Sequence, residues 1–333
     1  MAVKLGINGF GRIGRYLLRI MADSQDVVIT AINARADNAS LAHLFKYDSV
    51  YGTFAGTVSH DDNGIIVNGR HIAVTRCKAG EWQWKELGTE LVVDTTGTAK
   101  KRDDAAKHLE CGAKKIVVSA PCKEADATIV MGVNDNVYDA AAHSVISAAS
   151  CTTNCLAPAA KVINDVFGIK HGLMTTIHSY TMSQRILDGS HKDLRRARAA
   201  AVSMIPTSTG AAKATALVIP ALKGKLDGMA VRVPTPDISL VDLTCELEKS
   251  ATAEDVNAAL KAACEGALKE NLGYCDEPLV SIDFKADTHG GVVDSLSTQV
   301  MDGTLLKLII WYDNEAGFTN QLMRLLRLVG ASL

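Results

Sequence analysis

Hydrophobic and polar positions follow two different patterns along this chain, and the change falls near residue 150. In the first half, short apolar runs alternate with stretches that have apolar side chains at helical spacing. The pattern predicts strands over residues 3–8, 27–32, 91–94, 116–119 and 145–147, and helices over residues 11–22 and 101–110. Uniformly apolar strands that alternate with helices are typical of parallel βαβ units whose sheet is buried on both faces.

The second half has longer apolar segments that are richer in β-branched residues. It predicts strands over residues 174–180, 228–233, 240–248 and 304–312, and helices over residues 253–270 and 317–329. Thr252 precedes the first of these helices and Asp255 follows three residues later, which is the pattern of a capping box. Long strands with few helices between them favour an α+β domain with a mostly antiparallel sheet.

The two patterns together predict an α/β protein of two domains. Residues 1–150 are expected to form a Rossmann-type doubly wound parallel sheet that binds a dinucleotide. Residues 151–316 are expected to form an α+β catalytic domain with a mostly antiparallel sheet. The C-terminal helix, residues 317–330, is expected to pack back on the first domain.

Composition and charge narrow the class of protein. The chain has 333 residues, of which 47% are hydrophobic, so it can bury a sizeable core without metals or disulfides. Its 35 basic and 37 acidic side chains give a net charge of −2, which argues against nucleic acid or a membrane as the primary partner. Its apolar runs stay well short of the ~20 residues of a membrane-spanning helix. The eight cysteines include no C-x-x-C pair, so we expect free thiols and a cytoplasmic protein.

A glycine-rich turn follows the first predicted strand and begins the first predicted helix. Its sequence, Gly9-Phe10-Gly11-Arg12-Ile13-Gly14, matches the G-x-G-x-x-G pattern in the context that this pattern requires. Gly9 would allow a tight turn, Gly11 a close approach to a pyrophosphate, and Gly14 close packing of helix on strand. An ordinary glycine-rich turn is the alternative. We predict dinucleotide binding, with the pyrophosphate at the helix N-terminus.

The acidic residue that usually ends the second strand of such a domain is missing. The chain reads Asn33-Ala34-Arg35, with Ala34 at the position of the carboxylate. A carboxylate there would bond the ribose hydroxyls of NAD, whereas its absence beside a guanidinium suits the 2′-phosphate of NADP. The alternative is that Arg35 is only solvated and that Asp37 reaches the ribose. We predict that NADP is preferred and that NAD remains possible.

A cysteine and a histidine are the candidate catalytic pair. Cys151 lies where a predicted strand gives way to a helix, and a thiol in the first turn of a helix is favoured as the thiolate. His178 ends a predicted strand and could serve as ion-pair partner, base and acid. The alternatives are a buried cysteine, as expected for Cys155, and a structural histidine. Further ligands at metal-binding spacing are missing near Cys151, so no metal is expected.

A basic segment runs from Arg185 to Arg198 and points to an anionic partner. It lacks the interleaved aromatic residues on which nucleic-acid bases stack, so a phosphate-bearing substrate or a subunit interface is favoured over nucleic acid. Residues 208–213 add hydroxyl groups and backbone donors before a helix, and Arg232 could point into this second anion site.

These residues carry a resemblance to a known family. From end to end the chain closely resembles the phosphorylating glyceraldehyde-3-phosphate dehydrogenases, and in particular their NADP-accepting members. The matching segments are residues 7–15, 46–49, 150–155, 193–198, 206–213, 232–236 and 311–315.

The resemblance implies a reaction and a role for each matching residue. Cys151 would attack the aldehyde of glyceraldehyde 3-phosphate, and His178 would take the hydroxyl proton of the hemithioacetal as hydride passes to the nicotinamide. Inorganic phosphate would then cleave the thioester to 1,3-bisphosphoglycerate. The implied ligands are Thr181 and Arg232 for the substrate's phosphate and Ser150, Thr209 and Gly210 for the attacking phosphate, with Thr152 and Arg196 also in these sites.

The family pattern also implies cofactor contacts and a homotetramer. Arg12 and Ile13 would contact the pyrophosphate, and Asn314 would orient the carboxamide of nicotinamide. The other implied cofactor residues are Asn33, Thr96, Ser119 and Ser190. The basic segment matches the loop that reaches toward a neighbouring subunit's cofactor.

The chain departs from the common family pattern at four places. Ala34 replaces an aspartate, and Gly189-Ser190 replaces Leu-Pro, where a serine meets the 2′-phosphate in NADP-accepting members. Met182-Ser183 replaces Asn-Asp beside the substrate-phosphate site, and Ala316 and Phe318 replace Trp and Tyr. Two other functions stay open, namely an erythrose-4-phosphate dehydrogenase and a non-catalytic dinucleotide-binding regulator. The physiological direction of the reaction is also open.

Overall fold

The computed structural model describes residues 2–333, which fold into two compact units. The first unit contains the chain up to Ile129 together with Asp135–Ala149 and Leu322–Leu333. The second unit contains Val130–Asn134 and Ser150–Gln321.

The first unit is built on a nine-stranded sheet. Its strands are β1 (Val3–Asn8), β2 (Val27–Asn33), β3 (Val58–His60), β4 (Gly64–Val67), β5 (Arg70–Thr75), β6 (Leu91–Asp94), β7 (Lys115–Val118), β8 (Ala127–Thr128) and β9 (Val145–Ser147), and its helices are α1 (Arg12–Met21), α2 (Asn38–Lys46) and α3 (Arg102–Glu110). The strand order is β3-β4-β5-β2-β1-β6-β7-β9-β8. All pairs are parallel except those that join β3, β4 and β5.

The central strands explain the uniformly apolar runs of the sequence. Leu5 and Ile7 of β1 have no solvent exposure, and every residue of β6 and β7 is buried. The antiparallel strands β3 and β4 were not predicted, because they are short and alternate with exposed turns. The predicted doubly wound parallel sheet is confirmed.

The second unit is built on a seven-stranded sheet. Its helices are α4 (Cys151–Phe167), α5 (Ala211–Val218), α6 (Ala253–Glu265) and α7 (Ala316–Gly330), and its strands are β10 (Ile169–Ser179), β11 (Ile205–Ser208), β12 (Leu226–Val233), β13 (Ser239–Leu247), β14 (Leu272–Cys275), β15 (Gly291–Met301) and β16 (Leu305–Tyr312). The strand order is β11-β12-β10-β13-β16-β15-β14. Four of its six pairs are antiparallel, which confirms the predicted α+β class.

Helix ends show where the sequence prediction holds and where it fails. The hydroxyl of Thr252 accepts from the Asp255 N–H at 3.1 Å and the Asp255 carboxylate accepts from the Thr252 N–H at 3.0 Å, which confirms the capping box. The predicted end of this helix at residue 270 is wrong, because α6 ends at Glu265 before Gly266. Helix α7 runs to Gly330, and from Leu322 onward it belongs to the first unit.

Three chemical properties follow from the described residues. All eight cysteines are free thiols. Between residues 2 and 333, no helix combines the length and apolar character that crossing a membrane requires. Over the same range, no group of three or more His, Cys, Asp or Glu side chains is arranged to hold a metal ion.

Candidate functional site

A buried polar network joins the carboxyl ends of three neighbouring strands in the first unit. Asn8 at the end of β1 donates to Asp94 at the end of β6 (Nδ2 to Oδ2, 2.7 Å), and Asn33 at the end of β2 donates to Asn8 (Nδ2 to Oδ1, 2.9 Å). Burial opposes ionisation of Asp94, but hydrogen bonds from His108, Thr96 and Asn8 outweigh it and lower the pKa of this carboxyl. The network fixes the edge at which parallel sheets bind ligands.

The glycine-rich turn lies directly above this network. Gly9 has φ +95°, and its N–H donates to the Asn33 carbonyl at 2.9 Å, which fixes the tight turn. A Cβ at Gly14 would overlap the Gly9 carbonyl oxygen and lie 2.9 Å from Thr95 Oγ1, whereas a Cβ at Gly11 would meet nothing within 4 Å. The close packing is therefore at Gly14, and open space is left at Gly11 beside the start of α1.

The other predicted residues of this turn are placed as follows. Phe10 is buried and stacks on Phe45 with ring centroids 6.3 Å apart. The Arg12 side chain forms an ion pair with Asp48 and lies over the Tyr51 ring, so its main chain, with that of Ile13, is what faces the turn. The N–H groups at the beginning of a helix are the donors that bind a phosphate oxygen.

Thr96 and Ser119, also predicted to bind cofactor, are tied to the same strand end. The N–H and Oγ1 of Thr96 donate to Asp94 Oδ1 at 2.9 and 2.6 Å. The Ser119 N–H donates to the Asp94 carbonyl at 2.9 Å. Asp94 thus links Asn8, Thr96 and Ser119 into one edge of the sheet.

A pocket of about 600 Å³ opens beside this edge. It is lined by Asn8, Gly9, Phe10, Asn33, Ala34, Arg35, Ala36, Leu41, Leu44, Arg76, Cys77, Lys78, Ala79, Trp82, Thr96 and Thr98. The sequence prediction included Ala34 and Arg35 but missed Arg76, Lys78 and Trp82. Arg76 and Lys78 could have been found as basic residues that directly follow a strand. That strand, β5, was not itself predicted, so the signal was not recognised.

Asp37, the alternative ribose ligand, is the N-cap residue of helix α2. Its carboxylate accepts from the Ser40 N–H at 2.8 Å and from the Ser40 hydroxyl at 2.7 Å, which caps α2. These hydrogen bonds hold the pKa of Asp37 below its usual value. The Asp37 carboxylate is therefore occupied in capping α2.

In the second unit, one helix start and one strand end bring the candidate catalytic pair together. Ser150 caps α4 by accepting from the Thr153 N–H at 3.1 Å, which places Cys151 in the first turn. His178 is the penultimate residue of β10 and is 4% exposed. The Cys151 Sγ lies 3.5 Å from His178 Nε2, close enough for proton exchange between them.

Arg232 completes this cluster from the neighbouring strand. β12 runs parallel to β10 with Arg232 opposite His178. The Arg232 Nη1 lies 2.8 Å from His178 Nδ1 and 3.0 Å from the Ser179 carbonyl oxygen, and Nδ1 itself is 2.8 Å from that oxygen. The buried Nε of Arg232 has no hydrogen-bond partner among residues 2–333, so it is a donor for which an anion would be an acceptor.

Burial dominates the electrostatics of the pair. It raises the pKa of the Cys151 thiol, against the opposing effects of the Arg232 charge and of hydrogen bonds with Thr152. Burial, followed by the charge of Arg232, lowers the pKa of His178 to about 3. The sequence prediction considered the helix start, which favours the thiolate, whereas desolvation of this thiol acts in the opposite direction.

Tyr312, at the end of β16, is a neighbour of the pair that sequence reasoning missed. Its hydroxyl lies 2.9 Å from Thr152 Oγ1 and 2.8 Å from Thr176 Oγ1, and its ring meets His178 edge-on at 5.8 Å. Thr152, predicted as a phosphate ligand, is buried and bonds to this tyrosine. Its hydroxyl therefore supports the helix start rather than facing solvent.

The remaining predicted residues bond to groups nearby in the sequence. Thr181 Oγ1 pairs with Ser183 Oγ at 2.9 Å, and Arg196 Nε donates to Thr207 Oγ1 at 2.9 Å. Thr209 Oγ1 accepts from the Ala211 N–H at 3.2 Å, next to Gly210 at the start of α5.

Two predicted cofactor residues also lie in the second unit. The Ser190 carbonyl accepts from Arg185 Nε and Nη2 at 3.0 and 2.7 Å. Asn314 Oδ1 accepts from Ser239 Oγ at 2.8 Å.

Among the predicted catalytic and phosphate-binding residues, direct side-chain contacts join Cys151 to His178 and His178 to Arg232.

Comparison with known proteins decides which family this arrangement belongs to. The sequence profile of the glyceraldehyde 3-phosphate dehydrogenase NAD binding domain matches residues 3–102, and that of the C-terminal domain matches residues 150–314. The chain is 58% identical over 326 residues to the glyceraldehyde-3-phosphate dehydrogenase of Geobacillus stearothermophilus, covering 98% of this chain and 97% of that one. The chain belongs to the glyceraldehyde-3-phosphate dehydrogenase family.

Other members of the family match over the same length. Glyceraldehyde-3-phosphate dehydrogenase 1 of Bacillus subtilis is 58% identical over 326 residues, covering 98% of this chain and 97% of that one. Glyceraldehyde-3-phosphate dehydrogenase 2 of Streptomyces avermitilis is 50% identical over 335 residues and covers both chains completely. Membership of the glyceraldehyde-3-phosphate dehydrogenase family, inferred from motifs, is confirmed, and the residues matched by the NAD binding profile include the glycine turn and its pocket.

The different packing at two glycines yields a prediction. Gly14→Ala should lower the free energy of unfolding by about 1–3 kcal/mol, because the new methyl group must displace the Gly9 carbonyl. Gly11→Ala should leave stability within about 0.5 kcal/mol. It should instead weaken NAD(P) binding at least about tenfold, since its methyl group fills the space that a pyrophosphate needs. Urea unfolding and cofactor titration measure the two effects, and equal destabilisation by both variants would contradict the assignment.

Proposed function

We propose that the protein catalyses the reversible oxidative phosphorylation of glyceraldehyde 3-phosphate to 1,3-bisphosphoglycerate, with NADP preferred to NAD. The observation that carries this proposal is the cluster of Cys151, His178 and Arg232 in a chain of the glyceraldehyde-3-phosphate dehydrogenase family. A nucleophile, a base and a cation for the substrate's phosphate meet in one place. These are the groups that the reaction needs.

The roles of the three side chains follow from their contacts. Cys151 would add to the aldehyde, and transfer of its proton to His178 Nε2 across 3.5 Å would leave the thiolate that attacks. Nδ1 of His178 and Nη1 of Arg232 share the Ser179 carbonyl. When the substrate's phosphate binds Arg232, that carbonyl is left to Nδ1–H, which stabilises the imidazolium. The imidazolium gives its Nε2 proton to the oxyanion of the hemithioacetal, and the neutral His178 takes the hydroxyl proton back when the hydride leaves the same carbon. Phosphate then attacks the resulting thioester, and Cys151 leaves as the thiolate.

The two phosphate groups would be bound by short loops around this cluster. Arg232 and Thr181 would hold the substrate's phosphate. The attacking phosphate would be held by the hydroxyls and N–H groups of Ser150, Thr209 and Gly210, with Arg196 as a further cation. The start of α5 at Gly210 supports this assignment, because helix N-termini bind anions.

The residues present in the first unit fit a dinucleotide. The open space at Gly11 and the pocket of about 600 Å³ would take the pyrophosphate and adenosine. Arg12 and Ile13 would lie at the pyrophosphate, and Asn33 and Thr96, which line the pocket, beside the adenosine. Ser119 is proposed as a further cofactor contact. When bound, the nicotinamide supplies the hydride acceptor. Ala34 and Arg35 support NADP, because a 2′-phosphate there meets a cation and no carboxylate. Ser190 and Asn314 are proposed as further cofactor contacts.

The experiment that tests this proposal is an assay of the purified protein. Glyceraldehyde 3-phosphate should reduce NADP in a reaction that requires inorganic phosphate, with a kcat/KM at least about tenfold above that for NAD. The same assay with erythrose 4-phosphate is the control for the alternative substrate. Reduction without phosphate, or faster turnover of erythrose 4-phosphate, would contradict the proposed reaction.

We also propose a homotetramer in the cytoplasm. Large apolar side chains are exposed within the basic segment and on either side of it, as expected of a surface that a neighbouring subunit covers. These side chains are Met182, Ile186, Leu187, Leu194, Val202 and Met204. The eight free thiols suit a reducing compartment. A preference for NADP favours the biosynthetic direction of the reaction.

A further inference from the structure

Two basic residues in the first unit's pocket fall outside the sequence motifs. Arg76 and Lys78 follow β5 and line the pocket together with Ala34 and Arg35. We propose that Lys78 binds the 2′-phosphate of NADP directly and that Arg76 is a positioning residue that holds the pocket wall beside it. The proposal rests on the preference for NADP proposed above and names the residues that produce it.

The chain around Cys77 is fixed to the end of β2. The Cys77 N–H donates to Asn33 Oδ1 at 2.8 Å, and Asn33 Nδ2 donates to the Cys77 carbonyl at 3.2 Å. β2 and β5 are parallel neighbours, and the Ala34 N–H donates to the Thr75 carbonyl at 3.0 Å. Because Asn33 directly precedes Ala34, these bonds hold residues 76–78 alongside the position where a ribose-binding carboxylate would stand.

The guanidinium of Arg76 is ordered by its own hydrogen bonds. Nε and Nη2 donate to the Ala36 carbonyl at 3.1 and 2.8 Å, and Nη2 also donates to Asn38 Oδ1 at 2.7 Å. These bonds join the end of β5 to the connection between β2 and α2. Arg76 therefore holds the two walls of the pocket in fixed relative positions. Because its side chain is already ordered, binding of a phosphate costs it little further conformational entropy.

The charges of the pocket suit a dianion. Its lining contains three cations, Arg35, Arg76 and Lys78, together with neutral residues. Asp37, which follows the lining residue Ala36 in sequence, is already bonded to Ser40. A phosphate monoester carries close to two negative charges at neutral pH, and a lysine ammonium on its flexible stem binds such a group as a point charge. The 2′-hydroxyl of NAD carries no charge for these cations to neutralise. They should therefore strengthen the binding of NADP but not that of NAD.

Fragments of the cofactor test this assignment without any turnover. Isothermal titration would compare 2′-phosphoadenosine 5′-phosphate with adenosine 5′-phosphate on the full-length protein. The wild type should bind the first at least about tenfold more tightly. Lys78→Gln should reduce this ratio about tenfold and leave the affinity for adenosine 5′-phosphate unchanged. Lys107→Gln, an exposed lysine of α3 outside the pocket lining, is the matched control and should leave the ratio within about twofold.

Arg76→Gln is the second variant and should lower the ratio by a similar factor. A structural role unrelated to the 2′-phosphate would instead weaken both fragments equally. A wild-type ratio retained in both Lys78→Gln and Arg76→Gln overturns the inference but leaves the proposed preference for NADP intact. Equal affinity of the wild type for both fragments overturns that preference and the inference with it. The oxidation of glyceraldehyde 3-phosphate is tested in a separate assay, and neither outcome of the fragment titrations bears on it.

Discussion

Cys151→Ser should lower kcat/KM for glyceraldehyde 3-phosphate at least about 10³-fold, which corresponds to about 4 kcal/mol of lost transition-state stabilisation. A serine hydroxyl is far less acidic than a thiol, so His178 cannot activate it to the same extent, and an alcohol is also a weaker nucleophile. Steady-state assays with saturating cofactor and phosphate measure the loss. Circular dichroism and thermal unfolding check that the fold is retained.

Cys155→Ala is the matched control for this loss. Cys155 lies one helical turn further along α4, is fully buried, and its thiol points to the Ile310 carbonyl at 3.7 Å. Burial raises the pKa of this thiol well above its usual value, and its complete enclosure leaves a substrate no access to it. The control should keep activity within about threefold of the wild type while losing some stability. Activity of Cys151→Ser close to that of this control would remove Cys151 from the mechanism.

Ala34→Asp should lower the ratio of kcat/KM for NADP to that for NAD about 100-fold, mainly through a higher KM for NADP. A carboxylate at this position faces the 2′-phosphate, and juxtaposed like charges cost several kcal/mol, whereas NAD gains a partner for its ribose hydroxyls. Adding Gly189→Leu and Ser190→Pro should extend the shift toward NAD. Steady-state assays with each cofactor at fixed substrate and phosphate give the ratio.

Asp37→Asn is the control that separates the two interpretations of this region. An amide oxygen at residue 37 can still accept from Ser40 and cap α2, but the negative charge is gone. If Ala34 and Arg35 set the preference, this variant should keep the cofactor ratio within about twofold. A large change in Asp37→Asn with little change in Ala34→Asp would show that Asp37 binds the ribose.

The parts of the fold that the sequence predicted are those in which local pattern and burial agree. β6 and β9 are short, mainly apolar runs that are fully buried, and β1 is buried from Leu5 onward, so hydrophobicity locates all three. β3, β4 and β5 have mixed exposure and were not predicted, because their stability comes from pairing with each other and with β2. Pairing between distant segments leaves little trace in local composition.

The candidate site shows the same division. Cys151 and the glycine turn were recognisable, since each depends on a strand followed directly by a helix. Arg76, Lys78 and Tyr312 were missed because sheet order, not sequence distance, brings them to their neighbours. Tyr312 reaches Thr152 across 160 residues through hydrogen bonding of their hydroxyls. Burial of the Cys151 thiol, which acts against the predicted thiolate, is likewise a property of the folded packing.

The network of Asn8, Asn33 and Asp94 has a consequence for how cofactor choice can evolve. These three side chains bond to one another and to main-chain atoms, so they hold the pocket's frame whatever surrounds it. Ala34, Arg35 and Lys78 line the pocket, but their side chains are not part of this network. The preference could therefore change between NADP and NAD during evolution through a few independent substitutions at these lining positions. Each intermediate would remain folded, and selection would act on redox supply alone.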